Sequence, residues 1–319
     1  MEEIIASKLY SMKFTMRIIV ALIGLFMLAS CEKEVDVNLS SSDKKVVVEG
    51  FIETDVQPYV SLTYSIGFFD KIDLNSLEYV KNAIVTIDDL TSGKSLTLKE
   101  YNVDTTIGNR TFTFSIYAPD YTDPVAMSFK GQVGHMYKLQ IQTAGKTYTG
   151  YTQIPASVGL DSVRLEPVKG KENEFSTLRA NYTDPDTFGN CVRLETLTNR
   201  YVKDGSPELF FTSFNAVYDD NIINGTMVPL TIDLGYDKNK TYTREEFENL
   251  GYVRKGDTVT IKWSAIDKSV YTFYQTLTFS AGSVGNPFAS PTKIQGNVSG
   301  ALGVWAGLGT QLYTIIDSL

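Results

Sequence analysis

The sequence predicts a mainly β protein: an N-terminal immunoglobulin-like antiparallel sandwich followed by a second, mostly β domain with small helical inserts. Three observations predict it. From Lys45 onward apolar and polar residues alternate with a period of two, the pattern of strands with one face on a core and the other in water. Short turn segments rich in Gly, Asn and Ser interrupt these runs. The 319 residues, 43% hydrophobic and 21% charged, have a globular balance, and that length has room for about two domains.

The first element is a leader. Lys13 and Arg17 precede twelve apolar or glycine residues from Ile18 to Ala29, well short of the ~20 that span a bilayer as a helix. This is a signal-peptide pattern. Glu2 and Glu3 place negative charge where such a leader carries positive, so Met12 is the expected start. The run ends in Leu28-Ala29-Ser30-Cys31, which resembles a bacterial lipobox: cleavage after Ser30 leaves a cysteine whose thiol takes diacylglyceryl. Residues 1–30 are thus the expected signal peptide. Two or three acyl chains on Cys31 anchor a protein stably, since each buried methylene contributes about 0.8 kcal/mol. Glu32, Lys33 and Glu34 follow directly and resemble the export signal that carries lipoproteins of the Bacteroidota to the outer face of the outer membrane. Residues 31–44 are polar, with too little apolar surface to offset the entropy of ordering, and are expected to be a lipidated tether.

Residues 45–157 are expected to form the sandwich, from about seven short strands. Val60, Leu62, Tyr64 and Ile66 share one face of the first such run; Ala83, Val85 and Ile87 share one face of another. Phe112, Phe114 and Ile116 are expected on a core face, as are Tyr137, Leu139 and Ile141. Thr91-Ser92-Gly93, Gly108-Asn109 and Ala144-Gly145 are the turns. Pro155 to Gly159 marks the domain boundary. Residues 158–319 resume the period of two in Leu178-Ala180-Tyr182 and Val259-Ile261-Trp263. Two helices interrupt them. One lies near 243–250, opened by a Thr243/Glu246 capping box and closed by Gly251. The other lies near 268–279, with Val270, Tyr271, Phe273, Tyr274 and Leu277 on one side. Glycines between Gly282 and Gly309 are expected to serve backbone turns with positive φ or close strand approach, because no strand-then-helix context makes them a phosphate cradle.

Composition excludes several functions. The net charge is -8, without a basic cluster, which argues against nucleic acid as a partner. His135 is the only histidine and cannot by itself build a two-histidine metal site; it is expected to be a strand-end residue. Cys191 is left alone once Cys31 is lipidated, and is expected to be a buried small apolar group. Asp184 to Gly189 with Glu195 has some spacing of a calcium loop, but Phe188 stands where an oxygen ligand is needed and strands flank it, so a hairpin turn is expected. Asp219-Asp220-Asn221 is expected to be a solvated turn. Trp263 is expected in the core, and Trp305 fits either a core or a surface role. No spacing among the acidic residues selects a catalytic pair, so neither catalytic residues nor cofactors nor metal ligands are assigned.

The lipobox and Glu-Lys-Glu, followed by Val46-Val47-Val48-Glu49-Gly50-Phe51-Ile52, Ala83 to Asp88, Gly134 with Tyr137 to Ile141, Asn286-Pro287-Phe288 and Gly296 to Gly303, together resemble the Bacteroidota lipoprotein family catalogued as domain of unknown function four-two-four-nine. Asn190-Cys191-Val192-Arg193 departs from it where aromatic residues usually precede the arginine. The resemblance implies an accessory role beside a TonB-dependent receptor and supplies no catalytic residues. The expectation is a non-catalytic binding module of a nutrient uptake system, with outer-membrane lipid and that receptor as partners. A surface-displayed hydrolase and a structural or adhesive envelope lipoprotein are the alternatives.

Overall fold

Strand-forming alternation fills most of the molecule. The computed structural model describes residues 44–66, 77–107, 110–199, 209–238, 240–283 and 292–317. Cys31, Glu32, Lys33 and Glu34, the Gly108-Asn109 turn and the Asn286 to Pro291 segment lie outside the described residues. The chain is mainly β, as expected. Its first half runs through β1 (Val46–Glu53), β2 (Tyr59–Tyr64), β3 (Ile84–Asp89), β4 (Ser95–Ile107), β5 (Arg110–Ala118), a short helix α1 (Pro124–Met127), β6 (Met136–Thr143) and β7 (Lys146–Gln153). The second half contains β8 (Ser162–Pro167), β9 (Phe175–Thr183), β10 (Cys191–Thr198), β11 (Val217–Asp219), β12 (Met227–Ile232), α2 (Arg244–Glu248), β13 (Val253–Arg254), β14 (Thr258–Ile266), α3 (Lys268–Ser283), β15 (Val298–Ser299) and β16 (Leu302–Ile316).

The first half is a sandwich folded around β4. Residues 95–98 of β4 pair with β3, and residues 99–107 pair with β5, so one long strand turns the corner between two layers. Val48, Leu62, Val85, Ile87, Leu139 and Ile141 close the space between them, each fully buried. Ala144 and Gly145 both have positive φ, the geometry of a two-residue hairpin turn whose twist matches its strands. One expected face is reversed. In β5 it is Ser115 and Tyr117 that are buried, while Phe114 and Ile116 face the other way, half-buried. The register places Tyr117 opposite core residue Val60, and its hydroxyl donates to the Val80 carbonyl at 2.8 Å and accepts from the Ala83 N–H at 3.1 Å. The buried parity is the more polar one, and the hydrogen bonds of Tyr117 hold it there.

A second sandwich packs β10, β14 and part of β16 against a four-stranded sheet in which β9 pairs with β8 on one side and with β12 and β13 on the other. Leu178, Ala180, Val259, Ile261 and Trp263 fill it, as the alternation predicts. The capping box at α2 is present in both directions: the Glu246 N–H donates to Thr243 Oγ1, and the Thr243 N–H donates to the Glu246 carboxylate.

The boundary expected at Pro155 to Gly159 is the connection from β7 to β8, but the flanking halves are not separate bodies; they form one compact unit. The reason is β16. Its residues 302–308 pair in parallel with β1, and residues 309–316 pair antiparallel with β14. One strand thus joins both sandwiches into a sheet of twelve strands. Trp305 is fully buried in the first core, while Tyr313 and Ile315 pack on the second. Glycine makes the crossing feasible: a Cβ on Gly307 would lie 2.3 Å from the Gln153 carbonyl oxygen, and one on Gly309 would lie 2.1 Å from that of Pro155. Asn297, from the glycine-rich motif, clamps the same strand by accepting from the Trp305 N–H and donating to its carbonyl, both at 2.8 Å.

Candidate functional site

The outer face of the large sheet is where strand alternation and long-range pairing leave polar groups together. On β1, Val46, Val48, Gly50 and Ile52 point into the first core, so Glu49, Phe51 and Glu53 point out. On β10, Val192 and Leu194 serve the second core, so Cys191, Arg193 and Glu195 take the opposite face, as Lys262 and Ser264 do across the β14 register. Lys262 pairs with Leu312 and Glu53 with Leu308, yet Lys262 Nζ reaches Glu53 Oε2 at 2.6 Å. Helix α3 packs on this face, with Val270 and Tyr271 buried against Val304, Ala306 and Leu308. Its first turn is held by Asp267, whose carboxylate accepts from the Val270 N–H at 3.0 Å and from Thr152 Oγ1 at 2.7 Å.

Arg193 lies on this face, opposite Ser264 in the β10–β14 register. Its Nη1 donates to Glu195 Oε2 at 2.6 Å, and the Tyr274 ring lies over the guanidinium, 4.4 Å from Cζ to ring centroid. Arg193 Nε is buried and has no hydrogen-bond partner. Glu49, Tyr59 and Tyr274 are coupled electrostatically to this arginine. Burial raises the Glu49 carboxyl above the ordinary range, with Arg193 pulling it back down. Burial pushes the Tyr274 phenol up to about 12 and raises that of Tyr59 as well. Burial and Arg193 lower the Lys238 ammonium. Tyr59 nonetheless keeps 45% of its surface in solvent, and Glu49 and Lys238 are also exposed. Among the described residues, the Glu49 carboxylate and the Tyr59 and Tyr274 hydroxyls make no hydrogen bond.

The residues singled out from sequence lie elsewhere. His135 stands at the start of β6, and its Nδ1 donates to Asp89 Oδ2 at 2.8 Å. Cys191 is a free, buried thiol pushed up to about 11 by burial. Trp263 and Trp305 are both core residues. Two turn expectations are corrected. Asp184 to Gly189 is a corner between sheets, because β9 and β10 belong to different sheets and do not pair. Asp220 is 2% exposed and does not form a solvated turn; its Oδ2 accepts from the Gly189 and Asn190 N–H groups at 2.8 Å each and holds that corner. Asp184 is also buried and accepts from the Tyr182 hydroxyl at 2.9 Å. Among the described residues no three His, Cys, Asp or Glu side chains converge as metal ligands, and no helix is long and apolar enough to cross a membrane.

Sequence reasoning did not find Glu49, Tyr59, Arg193 or Tyr274. The signal was a charged residue between core residues in Val48-Glu49-Gly50 and Val192-Arg193-Leu194, which alone reads as a solvent face. Among known families, the model described as Domain of unknown function (DUF4249) matches residues 32–311. No curated protein matches the chain.

Proposed function

The chain belongs to the family of the Domain of unknown function (DUF4249), and from that premise we propose that it is a surface lipoprotein. Acyl chains on Cys31 hold it in the outer membrane of a Bacteroidota cell, facing outward. There it acts as a non-catalytic binding module beside a TonB-dependent receptor in nutrient uptake. The observation that carries the reading is the Leu28-Ala29-Ser30-Cys31 lipobox at the end of a basic and apolar leader. The family match supports it, because it begins at Glu32, the residue after that cysteine. Tethering a ligand-binding module beside a pore raises the local concentration of captured molecules without any new contact.

Mass spectrometry of the protein from its native membrane tests the anchor, and affinity purification of the same material tests the partner. The expected results are an N-terminal diacylglyceryl-cysteine at position 31 and a copurifying TonB-dependent receptor. An unmodified Cys31, or a leader still attached, would sink the anchor; a lipoprotein recovered without a receptor would sink the partnership.

A further inference from the structure

We propose that a cavity at the open side of the second sandwich binds a small organic cation, an ammonium group carried on an apolar body. The proposal rests on the binding-module reading and names the chemistry of its ligand. Topology leaves the space open. β11 is the last strand of the large sheet and β12 an edge of the four-stranded one, and the two do not pair. β11 has only three residues, so the 220–226 connection, rather than a strand, closes this side. The cavity there has a volume of about 310 Å³. Val192 and Leu194 line it from β10, Val228 and Leu230 from β12, and Trp263 from β14. A cavity of roughly 150 Å³ walled by Leu, Ile and Phe admits benzene. About twice that space takes on the order of a dozen non-hydrogen atoms, the size of an arylalkyl amine.

Charge narrows the class. Asp184, Asp219 and Asp220 line the cavity, and no Lys, Arg or His does. Asp219 is paired with Lys268 Nζ at 3.1 Å. Among the described residues Asp184 and Asp220 have no cationic partner, although they are only 3% and 2% exposed. A buried carboxylate without a counter-charge is costly, so a positive group placed against it gains more than one placed against a solvated carboxylate. Asp220 also has an acceptor to spare. Its Oδ2 takes the Gly189 and Asn190 N–H groups and the Asn190 amide. Its Oδ1 takes none and is not sealed from solvent. Among the described residues no three acidic groups converge as metal ligands, so the charge arrives on a larger body, which the apolar walls hold. Tyr218, 40% exposed, lines the cavity too, and an aromatic ring attracts an ammonium group over its face.

The test uses the full lipidated protein in phosphatidylcholine vesicles, titrated by calorimetry with phenylbutylammonium against a blank of empty vesicles. Phenylbutanol and phenylbutanoate, of nearly the same size and shape, are the neutral and anionic comparisons. The ammonium should bind about tenfold more tightly than the alcohol, and the carboxylate should not bind. Asp220→Asn keeps an oxygen for the Gly189 and Asn190 N–H groups and removes the charge; it should weaken ammonium binding about tenfold and leave the alcohol unchanged. Val228→Trp, at a half-buried position of the wall, fills the space and should abolish binding of both. Should either variant melt early, the parent's preference among the three probes still decides. No binding of the ammonium, equal binding of the alcohol or the carboxylate by the parent, or parent-like ammonium binding by either folded variant overturns the proposal. Ammonium binding without a copurifying receptor would remove the receptor partnership and leave this site standing; a copurifying receptor with no ammonium binding does the reverse.

Discussion

Replacing Asp89 with Asn removes a charged hub whose contribution can be followed by pH. Asp89 is 4% exposed. Its Oδ1 accepts from the N–H groups of Thr91 at 3.0 Å and Ser92 at 3.1 Å, closing the β3–β4 turn. Its Oδ2 accepts from Ser92 Oγ at 2.6 Å and His135 Nδ1 at 2.8 Å, tying that turn to the start of β6. An amide keeps the first pair and loses the second, because its nitrogen cannot accept. Hydrogen bonds to charged groups contribute about 1.5–3 kcal/mol each, and the amide recovers part by donating to Ser92, so the net cost is roughly 2 kcal/mol. In a chain of this size that is about 4–8 °C in the thermal midpoint. Burial pushes the Asp89 carboxyl up, but the hydrogen bonds from Ser92, His135 and Thr91 prevail and hold it below its ordinary 3.8. A depressed carboxyl stabilises the fold fully above its unfolded value and loses that contribution as pH falls through its lower folded value. The gap between Asp89→Asn and the parent should therefore stay constant near neutrality and close below about pH 3.8. Circular dichroism melts across that range measure it. Equal midpoints at neutral pH, or a gap that survives protonation of the parent, would refute the reasoning.

Three further outcomes are expected. Gly307→Ala puts a methyl 2.3 Å from the Gln153 carbonyl oxygen and should lower stability by about 1–3 kcal/mol, read as a lower urea midpoint with an unchanged slope; a parent-like midpoint would mean that the β7–β8 connection yields freely. Because Trp305 reports on the first core and Trp263 on the second, the fluorescence transitions of Trp263→Phe and Trp305→Phe variants should each coincide with that variant's loss of far-ultraviolet circular dichroism; a separate early step at either tryptophan would show the sandwiches unfolding apart. Cys191, buried and with its thiol pushed up to about 11, should resist a thiol-specific dye in the native protein and react once denaturant unfolds it; rapid native labelling would contradict its burial.

Local chemistry was legible in the sequence, and long-range placement was not. The Thr243/Glu246 capping box, the Ala144-Gly145 turn and the alternation that buries Val60, Leu62, Ile261 and Trp263 act within a few residues, so the chain spells them out. β5 was misread because Phe114 and Ile116 are more apolar than the buried Ser115 and Tyr117, and the Tyr117 hydroxyl is held by the Val80 carbonyl from another part of the chain. Asp220 looks solvated until the distant Gly189 and Asn190 N–H groups reach it. The outer face of the large sheet has the same character. Glu49 and Arg193 are each an ordinary outward residue on their own strands, and only the pairing of β1 and β14 with β16 sets their strands in one sheet.

The strand shared by the two sandwiches also bears on biosynthesis. Residues 302–316 are made late, and until they emerge β1 lacks its parallel neighbour and β14 its antiparallel one. A polypeptide cut short before Leu302 would display two unfinished hydrophobic layers to chaperones and proteases rather than one sound module, and partial products should be cleared instead of accumulating. Completion of the two layers is thus coupled by topology, through one shared ribbon.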